Sequence, residues 1–277
     1  MYQACRRQLL TIVRTFVINL ARSADRRDHM QRELAKTGAL YEFLTAVEGS
    51  TLDLTDPSLV DQVAVGKNAF ALGAGTPGAI GCLLSHLHVY ERVANGDEDC
   101  ALILEDDVSL PSDLVQLADA VAAHMSGREA TLFSFASQQR EWTLAEPPIS
   151  LPAGRQLVSP EATTTRALHS SGAYLITKEA AERLAGLILP ARVPADSWGT
   201  FMKWGALTRV RCVLPMPIRH LPAFRSTIEF YDANSLQGRL RALAARTPAI
   251  SVALEARRQR RFRRSGWTGD VSIANDS

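Results

Sequence analysis

The residues best equipped for chemistry are three consecutive carboxylates, Glu105, Asp106 and Asp107, set directly after the apolar run Ala101 to Leu104. A run of that length and composition has the character of a buried strand in a parallel sheet. Ligands of open α/β sheets bind beyond the carboxyl ends of the strands, so the triplet stands where a site is expected. Its charges repel one another. At roughly 4 Å and an effective dielectric of ~20, a like-charge pair costs on the order of 4 kcal/mol. A bound divalent cation removes that cost. The same stretch also reads as a strand end running into solvated turn acids, with Ser112 or Asp113 capping the next helix.

The elements that would position the triplet follow from the pattern around it. Thr15 to Leu20 is a strand by its β-branched and aromatic content. A helix follows from about Ala24 to Thr37, with Met30 and Leu34 on one face and Gly38 at its end. A second strand, Tyr41 to Val47, stops at Glu48-Gly49, completing the opening of a βαβ unit. Arginines at the first strand–helix junction (Arg22, Arg26, Arg27) suit a phosphate or a nucleotide edge, or an ordinary solvated first turn. From Ser50 to Gly75 the pattern weakens into loop or short helix.

Thr76 as N-cap and Pro77 at the first helical position open a helix whose stripe is Ile80, Leu83, Leu84, Leu87 and Tyr90. Ser85 and His86 sit in its middle, and it ends near Asn95-Gly96. After the acidic strand, Pro111 to Met125 reads as a helix and Thr131 to Phe135 as a strand. Residues 137–168, rich in Pro, Ser and Thr, read as a long irregular loop. Ser170 to Thr177 is a strand, Lys178 to Leu187 a helix, and Val210 to Met216 a late strand. Between the last two lies Pro194-Ala195-Asp196-Ser197-Trp198, a lone carboxylate beside an aromatic.

Five of these segments, in order, resemble glycosyltransferase family 25, the bacterial lipooligosaccharide galactosyltransferases and their collagen-modifying relatives. They are Val17-Ile18-Asn19-Leu20 with Asp25-Arg26-Arg27; Ala46-Val47-Glu48-Gly49; Ile80-Gly81-Cys82-Leu83-Leu84-Ser85-His86; Leu104-Glu105-Asp106-Asp107-Val108; and Gly172 to Thr177 followed by Pro194-Ala195-Asp196. The likeness spans roughly residues 15 to 230. It implies an α/β fold of GT-A type, one domain with a mostly parallel central sheet flanked by helices, that binds a UDP-sugar donor. It further implies Mn2+ or Mg2+ held through a DxD-like motif, for which Glu105 and Asp107 are the ligand candidates and His220 a third. Asn19, Leu20, Arg27, Ser85, His86 and Asp106 are candidates for holding the nucleotide sugar, and Asp196 for the base in an inverting displacement. The implied activity is transfer of a hexose, galactose foremost, to a glycan acceptor such as lipooligosaccharide. A non-catalytic carbohydrate- or nucleotide-binding member of the fold is the alternative.

Composition bounds the rest. With 31 basic and 29 acidic residues the net charge is +2, yet Gly238 to Arg264 holds nine arginines against Glu255 alone and leaves the remainder at about −6. The domain expectation is therefore an extension over 1–14, a catalytic domain over 15–236, a basic amphipathic tail over 237–265 and a disordered end over 266–277. A tail of that kind suits an anionic membrane surface. Nucleic acid is a poorer partner, since the acidic body has no aromatic interleaving. The apolar runs fall short of the ~20 residues of a membrane span, and Leu9 to Val13 is too short for a secretory signal. Cys5, Cys82, Cys100 and Cys212 show no zinc-like spacing and read as small thiols in a reducing compartment. The expected location is cytoplasmic, peripheral on the inner face of the membrane. A receiver-like signalling domain would need a late strand-end lysine where this chain has Pro215 and Met216.

Overall fold

The structure is a computed structural model that describes residues 13–68, 75–137, 139, 141–221 and 271–273. The first half comprises β1 (Arg14–Asn19), α1 (Ala24–Ala35), β2 (Tyr41–Thr45), α2 (Gln62–Asn68), α3 (Pro77–Ala94), β3 (Cys100–Glu105), β4 (Val108–Ser109) and α4 (Leu114–Ala122). The second comprises β5 (Glu129–Ser137), β6 (Trp142–Ser150), β7 (Gln156–Pro160), α5 (Ala162–Thr165), β8 (Leu168–Thr177), α6 (Lys178–Ala185), α7 (Trp198–Lys203), β9 (Arg209–Leu214), β10 (Arg219–His220) and β11 (Val271–Ile273). Nine strands form one sheet in the order β11-β6-β7-β9-β5-β8-β3-β1-β2, and β4 pairs with β10 as a separate ribbon.

The central strands of the sheet are buried on both faces because they are apolar on both. Along β1, Phe16 and Ile18 enter one core with Ile80, Leu83, Leu87 and Tyr90 of α3. Val17 enters the other, with Met30 and Leu34 of α1 and Leu117 and Val121 of α4. In β3, Ala101 and Ile103 alternate with Leu102 and Leu104 in the same way, as the two-residue side-chain period requires. The outcome is a sheet between two helical layers.

The sheet is mixed rather than mostly parallel. The β1–β2, β1–β3, β5–β9 and β6–β11 junctions are parallel, whereas β3–β8, β5–β8, β6–β7 and β7–β9 are antiparallel. The reversals fall on β8, inserted between β3 and β5, and on β7, between β6 and β9. A strand covered on both faces reads as a continuous apolar run whichever way it points, so its direction left no mark in the sequence. The irregular stretch expected over 137–168 holds β6, β7 and α5. Its prolines Pro147 and Pro148 fall between the pairs Glu146↔Ser159 and Ile149↔Leu157, where the register shifts, and a bulged stretch tolerates a residue without an N–H. Val271–Ile273, expected within a disordered end, pairs in parallel with Trp142, Thr143 and Leu144; its β-branched residues suit an edge strand. The basic tail over 237–265 and most of the extension over 1–14 lie outside the described residues. Among the described residues no helix is long and apolar enough to cross a membrane.

The helix α3 is pinned where it matters for the site. Thr76 caps it, accepting from the Ala79 N–H at 3.3 Å. Its first turns press on the chain after β2 so closely that a Cβ at Gly81 would stand 2.8 Å from the Val47 carbonyl oxygen and 2.9 Å from Gly49 Cα. Both neighbours are backbone and cannot swing aside. Gly81→Ala is therefore expected to destabilise the fold by about 1–3 kcal/mol, read as a lowered urea midpoint; an unchanged midpoint would show that the two segments are not in contact.

Candidate active site

The triplet sits at the end of β3, beside the end of β1, and its three carboxylates meet three different environments. Asp106 is buried. It accepts from Asn19 Nδ2 at 2.7 Å and pairs with the Arg26 guanidinium, which also reaches Asp107 Oδ2 at 3.3 Å. Asn19 is held in turn by the Ser23 carbonyl at 3.2 Å. Burial pushes the Asp106 carboxyl up, with Arg26 and Asn19 opposing. Asp106 is thus spent on locking α1 to the sheet end. Its neighbours face the cleft.

Glu105 accepts from Ser171 Oγ at 2.6 Å and lies 3.5 Å from His86 Nε2. Burial acts to raise its carboxyl, but His86, His220 and the Ser171 hydroxyl overrule it and hold the group well below the usual carboxylate range. Asp107 meets His220 through Oδ1 and Nδ1 at 3.0 Å. The β4–β10 ribbon creates that meeting, pairing His220 with Val108, and Leu221 N–H donates to the Asp107 carbonyl at 2.8 Å. Burial lowers the His220 imidazole, while the Asp107 hydrogen bond and the charges of Asp107 and Glu105 raise it, and the net shift is upward. One ligand atom from each of Glu105, Asp107 and His220 lies within 4.8 Å of the others.

The start of β8 is the other wall. Gly172 is required there, because a Cβ would strike the His220 ring. Ser170 is held at φ 88°, a region that non-glycine residues rarely enter. Three groups fix it: its N–H donates to Asp196 Oδ2 at 2.9 Å, its carbonyl accepts from Trp198 Nε1 at 3.0 Å, and its Oγ contacts His220 Nε2 at 3.0 Å. Asp196 is thereby linked through Ser170 to the metal-ligand candidate His220, with one oxygen anchored.

The cleft in front of Glu105 is lined by Leu20, Arg22, Arg26, Val47, Glu48, Ser85 and His86, among others. Most residues proposed from the sequence are thus brought together: Glu105, Asp106, Asp107, Ser85, His86 and Leu20 line it, Asn19 holds Asp106, His220 meets Asp107, and Asp196 is tied to His220 through Ser170. Two are placed differently from expectation. The Arg27 guanidinium lies over the Phe43 ring at 4.1 Å, and Arg26, one residue earlier on the helix, takes the position beside the acids. The Ser85 hydroxyl donates to Gly81 O at 2.6 Å and accepts from Val47 N at 2.8 Å, tying α3 to the turn after β2. Ser170, Ser171 and Tyr174 escaped the sequence reading; the only signal was Gly172, whose need for a missing side chain shows once His220 is opposite it. Arg22 makes a two-point ion pair with Glu48, at 2.7 and 3.2 Å, on the cleft rim.

Residues 12–198 match the family model described as glycosyltransferase family 25 (LPS biosynthesis protein). The chain belongs to this family. Among similar proteins, human procollagen galactosyltransferase 2 is 26% identical over 177 residues, covering 62% of this chain and 27% of that protein. The mouse procollagen galactosyltransferase 2 is 33% identical over 95 residues, covering 34% and 15%. A glycosyltransferase 25 family member of Aedes aegypti is 34% identical over 101 residues, covering 34% and 16%. The chain thus matches about a quarter or less of the length of these relatives. Among its described residues this family 25 chain carries a cluster of side chains able to hold a cation.

Two measurements check the electrostatic account. Arg26→Gln leaves two carboxylates without their cation and is expected to cost about 3–5 kcal/mol. Arg27→Gln loses only an exposed-face ring contact of about 0.5–1 kcal/mol. Equal losses in chemical denaturation would refute the clasp. Because Glu105 is held low, its contribution to the stability of the metal-free protein is complete above the ordinary carboxylate pKa of about 4.3 and is lost as pH falls below it. Glu105→Gln should flatten that acid limb, and an unchanged limb would contradict the assignment.

Proposed function

We propose that the chain transfers a hexose, galactose foremost, from a UDP-sugar to a glycoconjugate acceptor such as lipooligosaccharide, by inverting single displacement on a GT-A type sheet. The observation that carries this reading is the convergence of Glu105, Asp107 and His220 at the strand ends, with Arg22 and Arg26 lining the same cleft. Two carboxylates and an imidazole are a donor set suited to Mn2+, and Mg2+ is accommodated by the carboxylates. Glu105, Asp107 and His220 would hold that ion, and when bound it supplies positive charge to the donor's diphosphate.

The chain's own residues account for the remaining requirements. Arg26, engaged by Asp106 and Asp107, contributes positive potential where the diphosphate would lie, and Arg22, paired with Glu48 on the exposed rim, is the guanidinium that could exchange that carboxylate for phosphate oxygens. Leu20 and Val47 give the cleft an apolar wall for the nucleotide. Asp196 has Oδ2 anchored by Ser170 N–H, and no hydrogen bond reaches Oδ1 among the described residues. That oxygen is the candidate to take the proton of the attacking hydroxyl. A base anchored on one side keeps its orientation as the hydroxyl approaches. The basic tail would hold the enzyme to the anionic inner face of the cytoplasmic membrane, near a lipid-linked acceptor.

Thermal unfolding with UDP, with and without Mn2+, tests the donor half: a rise in Tm that requires both is expected, and no metal-dependent rise would sink the reading. Asp107→Ala should abolish transfer from a UDP-hexose while the protein stays folded, and retained turnover would refute its role. Asp196→Asn is expected to lower kcat by about 100-fold or more with little change in UDP binding, in line with loss of a general base. Full activity would remove Asp196 as the base.

A further inference from the structure

The Glu105–Asp107–His220 trio does not use every ligand-bearing side chain near the cleft. Cys82 and His86 lie four residues apart on α3, the spacing that puts two side chains on one helical face. Together with Glu105 they bring one sulfur, one nitrogen and one oxygen within 4.8 Å of one another. Cys82 and Glu105 are partly open to the cleft, and His86 is fully buried.

The hydrogen bonds behind His86 say what its inner nitrogen is doing. Tyr174 donates its hydroxyl proton to Tyr90 Oη at 3.0 Å. The Tyr174 oxygen, 2.8 Å from His86 Nδ1, is therefore placed to accept the Nδ1 proton. A neutral ring so held carries its lone pair on Nε2. That atom is buried, makes no hydrogen bond and faces Glu105 Oε1 at 3.5 Å. With the ring neutral, two acceptors confront each other across a gap beside a thiol, a gap that either a proton on Nε2 or a cation would fill. A histidine whose far nitrogen is fixed by a hydroxyl, presenting the near one to a carboxylate and a sulfur, has the arrangement that orients metal-binding imidazoles.

We propose that Cys82, His86 and Glu105 form a second cation site, adjoining the Glu105–Asp107–His220 trio and selective for a thiophilic ion such as Zn2+. Sulfur, nitrogen and oxygen together favour zinc over Mg2+ or Mn2+. Three protein ligands leave one position open toward the cleft, as zinc sites that exchange ligands do. On binding, Cys82 Sγ forms a bond to the ion and its proton passes to the solvent. Glu105 is common to both trios, so the second ion sits against the first and competes for, or bridges through, the same carboxylate. The site concerns the same cleft as the proposed transferase chemistry but does not depend on which sugar is moved or on transfer at all.

The full chain, stripped with a chelator and titrated with Co2+ as a spectroscopic stand-in for Zn2+, tests this without an activity assay. The wild type is expected to develop a near-ultraviolet thiolate-to-cobalt charge-transfer band that added Zn2+ removes. Cys82→Ala should lose the band, and Asp107→Asn, which dismantles the other trio, should keep it while losing Mn2+ binding. Because His86 is buried, His86→Gln is read only if circular dichroism shows it folded, and Cys82→Ala carries the test in either case. No band in the wild type would mean that a protonated His86 simply pairs with Glu105, and would overturn the proposal. A band that survives in Cys82→Ala, or vanishes in Asp107→Asn, would overturn it as well. Absence of UDP binding would refute the transferase reading and leave the cobalt result standing.

Discussion

The interaction on which the site depends is the buried clasp of Arg26 and Asn19 on Asp106. Three adjacent carboxylates at a strand end would otherwise spread apart or take up protons. Desolvating a lone charge is costly, and only a partner of opposite sign with additional hydrogen bonds offsets it. By committing the middle acid to α1, the clasp leaves its two neighbours on either side turned to the cleft. It also fixes the height of α1 against β1 and β3, so the residues that follow β1 are delivered to the same rim.

Everything else at the site is a consequence of what must stand near those two acids. His220 reaches Asp107 because a two-residue ribbon pairs β10 with β4. Gly172 must lack a side chain to let the His220 ring in. Ser170 bends into positive φ because three separate groups hold it there, and one of them is Asp196. On the opposite wall, Ser85 ties α3 to Val47, setting the depth at which His86 and Cys82 meet Glu105. The geometry is over-determined around Glu105 and Asp107, as preorganised sites require.

Much of this was legible in the sequence, for stated reasons. The β1, α3 and β3 elements announced themselves through apolar runs, a Thr-Pro helix start and a carboxylate stop, all local signals. Two kinds of information were absent. Direction was one: β8 is buried on both faces, and nothing in Ala173 to Ile176 tells antiparallel from parallel. Partner choice was the other. Arg26 and Arg27 are equivalent as neighbours in a sequence, and only the 100° step of the helix turns one toward Asp106 and the other over Phe43. The β6–β7 hairpin was hidden by Pro147 and Pro148, which fall where the ladder is already broken.

The central claim is that Glu105 and Asp107 hold a divalent cation against a nucleoside diphosphate in this cleft. A crystal structure with UDP and Mn2+, recorded at a wavelength where manganese scatters anomalously, tests it most directly. The account predicts an anomalous peak coordinated by Glu105, Asp107 and the diphosphate, with Asp106 still engaged by Arg26. A UDP molecule bound without a peak at these carboxylates, or a peak elsewhere on the chain, would contradict it.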